Sequence, residues 1–132
     1  AFLWPLKGLK DLDLRPSLHW SEPLAAVTLD PDDGPVLIML DYRIDIEKAA
    51  EFTTALYELK RVRHRDGARR WGLYNDIADP GRYVETFIVE SWAEHARQHA
   101  RFTMGDREIE DRVRSFHIGP EPPIVSHFIH VK

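Results

Sequence analysis

The chain has 132 residues, 18 basic against 22 acidic side chains, a net charge of −4, 43% hydrophobic content and no cysteine. That balance speaks against a general nucleic-acid binder, which needs a basic surface; it leaves no disulfide or thiolate chemistry and suits a reducing compartment. No apolar run reaches the roughly 20 residues that span a bilayer, no secretory signal pattern opens the chain, and the length suits one domain with a modest core plus an arm.

Residues 1–35 read as an extended N-terminal arm or linker, and residues 36–132 as the folded domain. Pro5, Pro16, Pro23, Pro31 and Pro35 each fix φ and remove a donor. The apolar residues Phe2, Leu3, Trp4, Leu6, Leu9, Leu12, Leu14, Leu18 and Trp20 keep no period. Linkers are usually poor in aromatics, so Trp4 and Trp20 favour an arm laid over a neighbouring surface. The arm ends in the turn Pro31-Asp32-Asp33-Gly34-Pro35.

Val36 to Arg43 alternates as a first strand, with Val36, Ile38, Leu40 and Tyr42 on one face and Leu37 and Met39 on the other. Asp45 is placed to cap a helix from Ile46 to about Arg65, whose stripe is Ala49, Phe52, Leu56, Leu59 and Val62. Gly67 ends it at a position that takes positive φ. A second strand, about Ala68 to Ile77, sets Trp71, Leu73 and Ile77 against Gly72 and Tyr74. After the turn Asp79-Pro80-Gly81, its hairpin partner begins at Arg82, with Tyr83, Phe87 and Val89 on one side and Val84 and Ile88 on the other.

That strand runs directly into a helix through Ser91 and Glu94, an S-x-x-E capping box. The helix reaches Phe102 or Thr103, and Gly105 marks a break. Asp106 to His117 then forms a further helix, with Ile109, Val113 and Phe116 inward and Glu108–Arg112 and Glu110–Arg114 at i,i+4 spacing. Gly119-Pro120 closes it, and Ile124 to Val131 alternates as the last strand. The order β-α-β-β-α-β is the α+β ferredoxin-like arrangement, an antiparallel four-stranded sheet with its helices on one face. Since several strands are apolar on both faces, the bare side calls for a homodimer in which two sheets meet as a dimeric α+β barrel.

His95 and His99, four apart on one helix, could share a metal only with a third ligand, and Ala96 stands where a zinc-protease motif needs Glu. His127 and His130 fall on opposite faces of a strand, so neither metal nor other cofactor is expected. No G-x-S-x-G elbow or glycine-rich phosphate loop is present, and Ser91 is more economically a cap than a nucleophile. Glu85 and Glu90 project to opposite sides of the strand and form no catalytic pair. Trp71, Tyr74, Trp92 and Phe116, with His95 or His99 as polar points, could instead enclose a planar hydrophobic ligand; an aromatic core is the alternative. The cations Lys60, Arg61, Arg63, Arg65, Arg69 and Arg70 either complement the helix C-terminus or, beside a membrane, meet anionic lipid.

The blocks GPVLIMLDYRID, HRDGARRWGLYNDIADPGRYVETFIVESWAEHARQHAR and DRVRSFHIGPEPPIVSHFI resemble the C-terminal domain of bacterial major-facilitator permeases of the transmembrane secretion effector type, related to enterobactin exporters. LDLRPSLHWSEP is similar to the segment after the last transmembrane helix of that family. The resemblance implies a piece of a longer polypeptide, which suits the missing initiator Met, attached to permease helices on the cytoplasmic side of the inner membrane. It implies a non-catalytic accessory domain for dimerisation or small-molecule binding. Glu90-Ser91-Trp92 with His95 and His99 also resembles antibiotic-biosynthesis monooxygenases, dimeric α+β barrels of which some oxidise aromatic polyketides without metal or flavin. The haem-degrading relatives carry an Asn on the first strand, where this chain has Asp41-Tyr42.

Overall fold

The structure, a computed structural model, describes residues 30–132. Its elements are β1 (Val36–Arg43), a 3₁₀ turn (Ile46–Lys48), α1 (Ala49–Arg65), β2 (Arg69–Asn75), β3 (Arg82–Val89), α2 (Trp92–Ala100), α3 (Met104–Arg114) and β4 (Ile124–Ile129). Every sheet pairing is antiparallel, in the order β2-β3-β1-β4. This is the ferredoxin-like α+β fold, with its second helical segment divided in two. The proposed arm lies outside the described residues, apart from the turn that closes it.

Alternation in β1 and β3 decides which side becomes the core. Val36, Ile38, Leu40, Tyr42, Phe87 and Val89 are buried against Phe52, Ala55, Leu56, Leu59 and Val62 of α1. Val113 of α3 joins them, and Ile109, Phe116, Trp71 and Leu73 pack around the rim. Asp45 accepts from Glu47 N at 3.0 Å and starts the 3₁₀ turn, so the α-helix proper begins at Ala49. Gly67 takes φ 106°, which lets the chain leave α1 and enter β2.

Local side-chain bonds move two expected boundaries. β2 stops at Asn75 because the Asn75 amide donates to Pro80 O and Arg82 O while the Asp76 carboxylate accepts from Ala78 N; Ile77 is left fully exposed rather than inward. Gly105 does not break a helix but lies in the first turn of α3, since Thr103 and Asp106 form a reciprocal capping box. The box at Ser91 is half made. Ser91 Oγ accepts from Glu94 N at 3.1 Å, but the Glu94 carboxylate turns to Arg97 and Arg101. Arg112 likewise reaches Glu58 of α1 rather than Glu108.

The other face of the sheet carries no helix. Three rows cross it: Phe128, Leu37 and Ile88; Ser126, Met39, Thr86 and Gly72; Ile124, Asp41, Val84 and Tyr74. Phe128, Ile124 and Tyr74 are exposed and the others half-buried. A shallow apolar depression of about 290 Å³ opens here between Pro35, Leu37, Ile88 and Phe128.

Candidate functional site

Two polar clusters are buried between the sheet and the helices. The first is built on Glu85, which alternation in β3 turns inward beside Phe87. Arg63 of α1 meets it from the helix side, donating from Nε to Oε2 at 2.9 Å and from Nη2 to Oε1 at 3.3 Å. Tyr42 OH donates to Oε1 at 3.1 Å and Trp71 Nε1 to Oε2 at 2.9 Å, so four donors converge on one carboxylate. Burial, and then the adjacent Glu85 carboxylate, holds the Tyr42 phenol well above its usual range. Burial works against the Arg63 charge, but Glu85 outweighs it and raises Arg63 above its usual value. Neither group releases a proton near neutral pH.

The second cluster lies under α2. His95 is 4% exposed, and its ring centroid is 4.5 Å from His99, one turn along the helix, and 4.9 Å from His127 of β4. Trp92 packs beside both, 5.6 Å from His95 and 6.0 Å from His127. His127 belongs to the core face because it pairs with Ile38 across β1. Burial, then the neighbouring His99 and His127, lowers His95 to about 3, against the Gln98 side chain, whose oxygen favours the protonated ring. Burial, then His127, lowers His99 to about 4, and burial lowers His127. All three imidazoles are therefore neutral at pH 7. They can accept a hydrogen bond or stack on a planar group. Among the described residues, no three ligand-bearing side chains converge on a point that could hold a metal ion.

The proposed aromatic pocket is thus divided. Trp92, His95 and His99 come together, joined by His127, which spacing alone did not link to them. Trp71 is bonded to Glu85 and lies 5.4 Å from Tyr57. Tyr74 is 62% exposed on the opposite face, its ring over Gly72, because its position in β2 has the other parity from Trp71. Phe116 packs edge-on to Phe52, 6.1 Å away, in an aromatic group with Tyr42 and Tyr83.

The six cations do not form one surface, because helical spacing winds Lys60, Arg61, Arg63 and Arg65 around α1 while Arg69 and Arg70 lie on β2. Arg63 is buried on Glu85, Arg65 pairs with Asp66 and Asp106, and Arg69 pairs with Glu90 at 3.1 Å. Lys60 lies over the Tyr57 and Trp71 rings, at 5.4 and 5.1 Å. Arg61 and Arg70 are exposed, Arg70 with φ 55° at the irregularity that shifts the β2–β3 register.

Comparison with known proteins adds a family and a fold. A family model described as "Transmembrane secretion effector" matches residues 1–132. A search of curated proteins finds no match. Among solved structures, the chain is similar to a candidate antibiotic biosynthesis monooxygenase from Bordetella bronchiseptica, with a TM-score of 0.62 and 21% identity over 75% of this chain and 99% of that one. A protein of the same description from Caulobacter crescentus gives 0.64 and 16% over 76% and 93%. SnoaB, a cofactor-independent oxygenase from Streptomyces nogalater, gives 0.56 and 15% over 74% and 91%. At such identities the likeness is one of fold. Among the described residues, no helix is long and apolar enough to cross a membrane.

Proposed function

The chain belongs to the transmembrane secretion effector family, and from that premise we propose that it is the non-catalytic accessory domain of a membrane exporter. It is joined to the permease helices in one polypeptide, with residues 1–35 as the connecting arm, on the cytoplasmic face of the inner membrane. Two copies meet through their uncovered sheet faces, which would pair two permeases. The observation that carries this reading is that face. Leu37, Met39, Val84, Ile88, Phe128 and Tyr74 leave apolar surface on a sheet whose other side is covered by helices. A second copy suits it because an isologous contact would set apolar rows against one another. A small hydrophobic molecule is a further partner, with Trp92 and the neutral imidazoles as its contact. Sedimentation of the protein at micromolar concentration should give twice the 15.4 kDa chain mass, and Ile88→Asp with Phe128→Asp should give monomers. A wild-type protein that stays monomeric throughout that range ends the reading.

A second reading rests on the histidine cluster: a cofactor-independent monooxygenase of small aromatic substrates. Trp92 beside unprotonated imidazoles supplies a stacking surface and hydrogen-bond acceptors for a phenolic substrate. Oxygen uptake with an anthrone-type phenol should then fall in His95→Ala and His99→Ala. Absence of turnover by the intact protein eliminates it.

A further inference from the structure

α2 is docked in an unusual way. Its inward side carries Trp92, His95, Gln98 and His99, and it meets His127 on the sheet, where a packed helix would ordinarily present aliphatic side chains. Its N-terminus is held by the turn that precedes β1. Trp92 N donates to Asp33 O and Ala93 N to Pro31 O, each at 2.8 Å. Gly34 lies so close that a Cβ there would stand 2.2 Å from Glu90 O and 2.7 Å from Ser91 Cα. At the other end, Arg101 donates to Asp66 O at 2.5 Å and to Glu94 at 2.7 Å. The helix is therefore tied at both ends by polar bonds and rests in the middle on imidazoles.

The charged groups around that contact do not favour imidazolium. From α1, Arg63 adds a positive field on His95 and His99. The carboxylates on the surrounding elements are engaged: Glu85 of β3 by Arg63, Glu90 by Arg69, Glu94 by Arg97 and Arg101, Asp66 and Asp106 by Arg65. Glu110 of α3 acts on Arg63 and Tyr42. A proton on one imidazole is opposed by burial and by the two rings beside it.

We propose that α2 is an acid-released latch: protonation of His95, His99 and His127 drives the helix off the sheet and frees the turn at residues 30–33 that it holds. The turn leads into β1, so the latch sets how the start of the described domain is held. The exporter reading would make this a link between acidity and the permease, but the latch itself does not rest on it.

The effect is large because an exposed imidazole titrates near 6.5. Between pH 7 and pH 5, each ring that stays neutral when docked biases the equilibrium toward opening by about 25-fold, so two rings give on the order of several hundredfold. Hydrogen exchange of the whole chain, corrected for the pH dependence of intrinsic exchange, reads this directly. Amides 93–100 should lose protection by about that factor from pH 7 to pH 5, while β1 and β3 amides stay protected. His95→Leu with His99→Leu should remove most of the response. Gly34→Ala should loosen α2 already at pH 7, since it pushes the turn away from Glu90. Should the double variant fail to fold, imidazole resonances of the intact protein serve the same purpose: the rings should titrate together with α2 opening. Unchanged α2 protection at pH 5, loss of α2 and β1 protection together, or rings titrating at their ordinary value over a closed helix would each overturn the latch.

Discussion

The Glu85 cluster and the histidine cluster lie under the same helical layer, on the same side of one sheet, yet burial acts on them in opposite ways. At Glu85 the charge is retained because a guanidinium, a phenol and an indole all point at one carboxylate. At His95 burial, and then the neighbouring His99 and His127, outweigh what favours the charged ring, so the neutral form is the buried one. One cluster is held by its charges; the other holds only while charge is kept out. A buried polar group thus marks either a rivet or a release point, and the difference lies in what faces it.

The largest expected effect breaks the first cluster. Glu85→Ala leaves the Arg63 guanidinium, 2% exposed, without its carboxylate, and should cost about 3–5 kcal/mol in urea denaturation. Replacing both partners, Arg63→Met with Glu85→Leu, removes the stranded charge and should recover part of that loss, the remainder being the acceptor that Tyr42 OH and Trp71 Nε1 still lack. A single variant within about 1 kcal/mol of wild type would mean that Arg63 finds another partner or water, and the contrast would collapse.

Acid comes next and acts on the second cluster. His95 and His99 are lowered to about 3 and about 4, whereas an unfolded imidazole titrates near 6.5. The unfolded chain therefore binds more protons over that interval. The stability contributed by neutral burial is fully present above pH 6.5 and is lost as pH falls toward 4. Between pH 7 and pH 5 the two rings should remove about 2–4 kcal/mol. If α2 opens first, the loss levels off at the free energy of the latch, because the released rings hydrate before the sheet unfolds. Urea midpoints at intervals of half a pH unit would separate a levelling curve from one that falls to complete unfolding.

Much of this was legible in the chain. The alternation in Val36–Arg43 and Arg82–Val89, the stripe of α1 and the positions of Asp45 and Gly67 led to the fold, because backbone period and caps act locally. Glu85 was equally visible: it has the same parity as Tyr83 and Phe87, and Arg63 lies one turn past Leu59 on the buried stripe. The inward position of each was in the spacing, but the pairing depends on tertiary contact. His127 joined His95 and His99 for the same reason, through the β1–β4 register that places it beside Ile38. Tyr74 was misplaced by grouping aromatics by kind, when its parity already put it opposite Trp71. The half-made box at Ser91 turned on Arg101, seven residues beyond Glu94, which no capping rule includes.

A smaller test separates the ends of α2 from its middle. Ser91→Ala removes the acceptor for Glu94 N and should cost about 1 kcal/mol. If α2 stayed docked at pH 5, that bond would be unchanged and the loss would be equal at both pH values; the latch instead predicts a smaller loss at pH 5. A Ser91→Ala penalty that vanishes at pH 5 would show that the helix is already detached there, in line with the latch. A penalty that grows would show that acid weakens the cap itself.

The smallest effect supplies the control for the first. Arg112 and Glu58 form an ion pair between α3 and α1 with the same two chemical groups as Arg63 and Glu85, but their side chains are 51% and 39% exposed. Water already solvates both charges, so removing one strands nothing. Arg112→Ala should cost about 0.2–1 kcal/mol and less in high salt. If it matched the loss from Glu85→Ala, contact between opposite charges would be the stabilising factor and burial would be incidental. A difference of several-fold places the energy in desolvation, which is the same quantity that keeps the histidines neutral.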